Sequence, residues 1–303
     1  MGSRFQYYVL IPLLFGTIIS CTEQESSGPE DHSIHHPFGG EIIYRSKTCR
    51  ISWNTHSWSS VDIELNSGSD LSWQICEALP NTGSYNWNIP IEIPDGSAYS
   101  VRVSNSKNPQ SGPAHTGSFE IRSRGEISTL TDNRDGQTYR TVKIGSQWWM
   151  AENFNFIIAG GSHCYNDIDS NSLTHGRFYT LEAAIENCPT GWHLPTDNEW
   201  KQLETYLGII PEELDKFGER GVFTGLLLGK DGGPGFDALY GGYHNGCVGK
   251  DAHRYWESHF WTATKDREGK PMIRVITNSS GSVSRLGTIC HGGSSVRYIK
   301  DSK

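Results

Sequence analysis

Cys188-Pro-Thr-Gly-Trp-His-Leu-Pro-Thr-Asp-Asn-Glu-Trp-Lys-Gln-Leu-Glu204 is the stretch on which the reading of this chain turns. Thr196 and Glu199 form a capping-box pattern, in which each side chain satisfies a backbone N–H left open at a helix start. Asp197 falls in the first turn, where the positive end of the helix dipole favours a carboxylate. Trp200, Leu203 and Leu207 recur at helical spacing and predict one buried stripe. Pro189 and Pro195 bracket Gly191-Trp192-His193-Leu194. Such a short, stiff approach can position side chains or serve as a packing corner.

Upstream, Asp135-Gly136 reads as a hairpin turn, with Tyr139, Val142 and Ile144 on the strand that follows. Trp148, Trp149 and Met150 read as core filler. Thr180 is placed to cap a first helix, with Leu181, Ala184, Ile185 and Cys188 on one face. Asp167, Asp169 and Asn171 alternate like half of a calcium loop. Ser172 replaces the expected glycine, however, and Phe178 stands where the bidentate glutamate belongs. A Ca2+ site there competes with a hydrogen-bonded turn. Downstream, Pro211 opens a turn or two of helix. Glycine then dominates through Gly242, without the G-K-[ST] of a phosphate loop.

These runs carry a resemblance. "C-P-T-G-W-H-L-P-T-D-N-E-W" resembles the signature of the Fibrobacter succinogenes major paralogous domain found in bacterial lipoproteins. So do the opening "D-N-R-D-G-Q-T-Y-R-T-V-K-I-G-S-Q-W-W-M-A-E-N", the middle "G-F-D-A-L-Y-G-G-Y", "Y-W-E-S-H-F-W-T-A-T" and the ending "S-V-R-Y-I-K-D". More distantly, "H-L-P-T-D-N-E-W" is similar to a run in the formylglycine-generating-enzyme-like group. Both resemblances imply a C-type-lectin-like α+β fold over residues 126–303, with two main helices on irregular antiparallel sheets. In such folds the long-loop region usually holds the ligand, which makes Tyr240, Tyr243, His244 and Asn245 the candidate contacts. Tyr298 occupies a position where the family usually has a cysteine.

Residues 38–122 have period two. Ile42 to Tyr44, Cys49/Ile51/Trp53, Val61/Ile63/Leu65, Leu71/Trp73/Ile75, Tyr85/Trp87/Ile89, Tyr99/Val101/Val103 and Phe119/Ile121 are separated by turn residues. About seven short strands at this spacing predict an immunoglobulin-like or fibronectin-III-like sandwich. The order of the motifs resembles the Kre9/Knh1-like N-terminal domain, usually a spacer or cell-wall-associated unit. Trp53, Trp73 and Trp87 sit on alternation positions and read as core rather than as a sugar platform.

The chain begins like a signal peptide spanning 1–20. Arg4 precedes an apolar run from Tyr8 to Ile19, too short to span a bilayer comfortably. Ile18-Ile19-Ser20-Cys21 resembles a lipobox, which would make Cys21 the lipid-modified first residue. Gln6 stands where N-myristoylation needs Ser or Thr. Residues 21–37 read as an acidic, flexible tether. These features predict export and lipid anchoring to the outer membrane, displayed at the surface.

The net charge of -8 argues against a nucleic-acid footprint. Of the 7 Cys, removing Cys21 leaves six, an even set suited to disulfides in an exported protein. Pairing within domains suggests Cys49–Cys76, Cys164–Cys188 and Cys247–Cys290, with Cys188–Cys290 as an alternative. His163, His175, His193, His253 and His259 show no H-x-x-x-H or H-E-x-x-H spacing on an expected helix. The functional expectation is a non-enzymatic surface binding or adhesion module, recognising a glycan or protein. A structural or assembly subunit is the alternative. So is formylglycine-type oxidoreductase chemistry, which would need Cys247 and Cys290 as reactive thiols.

Overall fold

The structure is a computed structural model that describes residues 32–302 apart from 55–56, 69–70, 111 and 290. The expected signal peptide and Cys21 lie outside the described residues.

The N-terminal half is a β-sandwich. Ile34–His36 pairs with Thr48–Trp53, which pairs with Ser84–Asn88. The other sheet runs Ile42–Tyr44, Phe119–Arg122, Gly96–Asn105, Ser60–Ser67, Ser72–Pro80, with Ala114–His115 attached to Gly96–Asn105. Period-two patterning explains the core: Ile51, Val61, Ile63, Leu65, Val101, Val103 and Ile121 are fully buried. Trp53 and Trp87 are buried there, and Trp73 packs against the same cluster. Leu71, expected inward, is 58% exposed and precedes its strand. Register shifts opposite Val61–Glu64 move the edge strand Ser72–Pro80 off a simple alternation. Ile34–His36 falls in the stretch expected to be tether. Its backbone instead finds partners on Thr48–Trp53, and His35 Nε2 meets Asn54 Oδ1 at 2.5 Å. Ile42–Tyr44 runs parallel to the last strand, Phe119–Arg122, whereas the remaining pairings of this sheet are antiparallel.

The C-terminal half is α+β. One sheet runs Ile127–Thr131, Thr138–Ile144, Gln147–Met150, Ile299–Lys300, Trp192–His193. Ile299–Lys300 therefore sits between Gln147–Met150 and Trp192–His193 of the opening stretch. A second sheet runs Gly218–Arg220, Val283–Gly287, Pro271–Thr277, Glu257–Lys265. Five helices lie among the described residues: α1 Asp169–His175, α2 Leu181–Glu186, α3 Asp197–Tyr206, α4 Pro211–Leu214 and α5 Thr224–Leu228.

The expected capping box at α3 is present: the Thr196 hydroxyl accepts from Glu199 N, and Glu199 Oε2 accepts from Thr196 N at 2.8 Å. Trp200, Leu203 and Leu207 are buried against Trp149, Phe236 and Phe260. His193 reinforces this start, its Nε2 2.8 Å from Glu199 Oε1 and its Nδ1 2.6 Å from Asp301 Oδ1. Thr180 caps α2 as expected, but Ile185 is 46% exposed, because α2 ends one residue later.

The other face of α3 carries ions into the core. Glu204 is fully buried, its Oε1 2.6 Å from Arg274 Nε and its Oε2 2.5 Å from Arg220 Nη2. Asp197 accepts a two-pronged contact from Arg285 at 2.9 Å and lies 2.8 Å from Arg274 Nη2. Lys201 Nζ adds a contact at 3.0 Å. Burial alone would raise the Asp197 pKa, but Arg285, Arg274 and Lys201 outweigh it and hold the carboxyl well below its usual range.

The two halves touch through Tyr44, which is 2% exposed. A Cβ built on Gly233 would fall 1.7 Å from the Tyr44 ring, so only glycine permits this approach. Arg122 donates to the Tyr206 carbonyl and lies 4.5 Å above the Tyr206 ring. Phe38 meets Phe223 at 4.5 Å between ring centres.

Two of the expected disulfides are not formed. Cys49, Cys76, Cys164 and Cys188 are free thiols. Cys49 and Cys76 lie on opposite sheets, with Cys49 Sγ 3.8 Å from His36 Nδ1. Cys164 Sγ is 3.6 Å from Asp169 Oδ1, whereas Cys188 Sγ lies 3.2 Å from the Ile185 carbonyl. Each thiol has local partners, and counting cysteines per domain carries no distance information. Cys247 is disulfide-bonded. Cys290, expected to pair with it, lies outside the described residues.

Tyr298 shows what replaces the cysteine usual at its position. Its ring is fully buried, and its hydroxyl donates to the Ala184 carbonyl of α2 at 2.8 Å. Tyr298→Phe keeps the packing and removes that hydrogen bond, leaving the carbonyl, among the described residues, only the Cys188 thiol at 3.5 Å. It is expected to cost about 1 kcal/mol, read as a lowered urea midpoint at unchanged slope.

Candidate functional site

Three motifs separated in sequence converge on one guanidinium. Arg297 is 1% exposed. It donates to the Met150 carbonyl at 3.1 Å, Asn153 Oδ1 at 2.6 Å, the Phe236 carbonyl at 2.6 Å and the Asp237 carbonyl at 3.1 Å. The "M-A-E-N", "G-F-D-A-L" and "S-V-R-Y-I-K-D" runs are thus one hydrogen-bonded unit around Arg297.

Outside this hub is an open polar cleft of about 480 Å³. Arg140, Glu152, Asn155, Thr174, Lys230 and Asp237 are among its lining residues. Arg140 Nε contacts Glu152 Oε1 at 3.1 Å, and its Nη1 lies 3.6 Å from Asp237 Oδ2. Asn155 Oδ1 and Asp237 Oδ1 are buried acceptors with no hydrogen-bond partner. Unsatisfied acceptors of this kind are uncommon in folded proteins. Asp237 is held at φ 51, a conformation that few residues other than glycine, Asn and Asp adopt readily.

The end of α1 joins the cleft to a second surface. Thr174 and Gly176 line the cleft, while the His175 ring meets Tyr255 edge-on at 6.2 Å. Tyr255 and Trp256 are 62% and 66% exposed. Arg254 lies 4.7 Å over Tyr255 and 5.4 Å over Tyr165.

Beyond them lies the antiparallel pair Tyr243–Asn245 and Lys250–Ala252. His244 Nδ1 is 2.6 Å from Asp251 Oδ1, and His163 Nε2 is 3.2 Å from the same oxygen. The two imidazoles meet edge-on at 4.5 Å.

The four sequence candidates take separate roles. Tyr240 packs against the core edge, where burial raises its hydroxyl pKa. Tyr243 stacks on His259 at 4.1 Å. Asn245 Oδ1 accepts from the N–H groups of Cys247 and Val248, closing the turn. Of the four, only His244 joins the cluster with Asp251.

The calcium-loop trio is also distributed. Asp169 Oδ1 lies 3.3 Å from Arg177 Nη2, and the Asn171 amide donates to the Tyr165 carbonyl at 2.8 Å. Asp167 ends a single 3-10 turn.

Sequence reasoning named His163 among five histidines without a metal-binding spacing, and did not find Asp251, Arg254 or the cleft. His163 and Asp251 are brought together only by tertiary pairing, so no local spacing marks them.

The described residues thus form an immunoglobulin-like sandwich followed by an α+β domain. The Fibrobacter succinogenes major domain family matches residues 142–300, and the Kre9/KNH-like N-terminal Ig-like domain matches residues 36–121. The chain belongs to the Fibrobacter succinogenes major domain family. These are non-catalytic, surface-type domains, as in a cell-surface protein. No curated protein matches the chain. Among the described residues, no helix is long and apolar enough to cross a membrane.

Proposed function

We propose that this chain is a non-enzymatic recognition module, lipid-anchored through Cys21 and displayed on the bacterial outer membrane, which binds a glycan through its C-terminal domain. The observation that carries this reading is the cleft with two unpartnered acceptors, Asn155 Oδ1 and Asp237 Oδ1. Sugar hydroxyls are the donors such acceptors lack, once a side-chain rotation turns the two enclosed oxygens into the cleft. Arg140, Glu152 and Lys230 add charged and bidentate partners around them. The exposed Tyr255 and Trp256, reached across α1, offer flat apolar faces for a sugar ring. The disulfide at Cys247 supports a structural role for that cysteine in place of a reactive thiol.

The test is a glycan array probed with the full chain. Binding to a defined glycan class is expected, weakened at least tenfold by Asn155→Ala and by Trp256→Ala, a loss of roughly 1.4 kcal/mol each. If no glycan binds, or if neither substitution weakens binding, the reading is wrong and an assembly role takes its place.

A further inference from the structure

We infer that His163, His244 and Asp251 form a binding site for a divalent transition metal, zinc above all. The inference does not depend on the glycan reading. One donor atom from each residue lies within 4.8 Å of the others, and Asp251 Oδ1 sits 3.2 Å from His163 Nε2 and 2.6 Å from His244 Nδ1. A tetrahedral zinc shell with ligands at about 2.0–2.1 Å places donors roughly 3.3 Å apart. Small side-chain rotations open the cluster to that spacing, and the metal then replaces the protons the imidazoles share with the carboxylate.

Four further features favour a metal over a simple hydrogen-bonded trio. First, the donor set is two imidazoles and one carboxylate, which suits zinc and its neighbours and not Ca2+, which takes oxygen ligands. Second, the carboxylate is already oriented, because Asp251 Oδ2 accepts the backbone N–H of Asn166. That N–H is aimed by an uncommon turn in which Asn166 and Asp167 both have positive φ, at 55° and 53°.

Third, the backbone behind the rings is stripped of side chains. A Cβ on Gly292 would fall 2.5 Å from His244 Cδ2, and one on Gly293 would fall 3.3 Å from His163 Cε1 and 3.4 Å from His244 Cβ. Fourth, exposure is graded: the Asp251 side chain is 5% exposed, while His163 and His244 are 27% and 25% exposed. The cluster is therefore reachable from solvent. Three protein ligands leave a tetrahedral ion one position for water or for a group on a bound partner.

The experiment uses the full chain purified without a polyhistidine tag. It is stripped with chelator, exposed to zinc, dialysed, and its metal measured by mass spectrometry. About one zinc per chain is expected, together with a higher melting temperature in zinc and none of that rise in calcium. Cobalt(II) should give the intense visible absorption of a four-coordinate site. His163→Ala and His244→Ala should each weaken zinc binding at least tenfold, on the scale seen when metal-site ligands are disturbed. Paired replacement of His35 and His36 should leave zinc binding unchanged.

The inference fails if the wild-type chain retains no stoichiometric zinc and shows no zinc-dependent melting shift. It fails equally if the folded His163→Ala and His244→Ala variants hold zinc as tightly as wild type. The wild-type titration decides the matter even if a variant does not fold. Zinc binding without glycan binding would sustain this site and overturn the recognition proposal, and the reverse result would do the opposite.

Discussion

Replacing Arg297 by methionine is expected to unfold the C-terminal half or bring it close to unfolding. The substitution keeps an unbranched apolar stem but removes donors to four acceptors: the Met150, Phe236 and Asp237 carbonyls and Asn153 Oδ1. Each buried acceptor left unpaired costs about 1–3 kcal/mol. Stacking of the guanidinium 4.8 Å from the Phe236 ring centre is lost as well. A loss of roughly 4 kcal/mol or more follows, against a typical domain stability of about 5–15 kcal/mol. Arg297→Lys should recover little, because an ammonium on a flexible stem cannot reach four acceptors held in a planar fork. Urea denaturation followed by tryptophan fluorescence measures both. A loss below about 1 kcal/mol for the methionine variant would refute the hub assignment.

Glu204→Gln is the second large effect. Glu204 is fully buried between Arg274 and Arg220. The amide keeps the shape but removes the charge, so Arg220 loses its carboxylate in a site without solvent. Breaking one member of a buried pair costs about 3–5 kcal/mol. Glu152→Gln is the contrast: Glu152 and Arg140 are 42% and 52% exposed, and the same chemical change there should cost less than about 1 kcal/mol.

The network also sets an acid limit. The folded-state pKa of Asp197 is depressed, so its contribution is complete above the unfolded value of about 3.9 and fades as pH falls below it. In Asp197→Asn, stability should start lower at neutral pH and fall less steeply on acidification. Equal slopes in the two proteins would assign the acid sensitivity to other carboxylates.

What the sequence made legible was local. The Thr196–Glu199 box needs only neighbours three apart, and the strands of the sandwich need only alternation, so both could be read directly. Leu71 departed because register shifts at the edge strand are set by the partner Ser60–Ser67 and not by its own residues. Ile185 departed because α2 is a short helix whose last turn is open to solvent. Glu204 reads as an ordinary polar face position of α3. It became core because Arg220 and Arg274 arrive from strands far along the chain. The same applies to the candidate sites. The glycine- and tyrosine-rich region drew attention to His244, but its companions His163 and Asp251 come from other segments. The Arg297 hub was present in the sequence only as three motifs with no stated connection.

The parallel pairing of Ile42–Tyr44 with Phe119–Arg122 has a mechanical consequence. Tension entering the sandwich from its N-terminal side pulls Ile42–Tyr44 backward, while tension leaving toward the C-terminal half pulls Phe119–Arg122 forward. The two strands lie side by side in the same direction, so the force runs lengthwise along their shared ladder. Under such shear the bonds between them bear the load together and must break together. An antiparallel hairpin pulled from its open end would lose them one at a time. A sandwich whose outer strands pair in this way resists a pull applied along the chain better than one closed by an antiparallel hairpin.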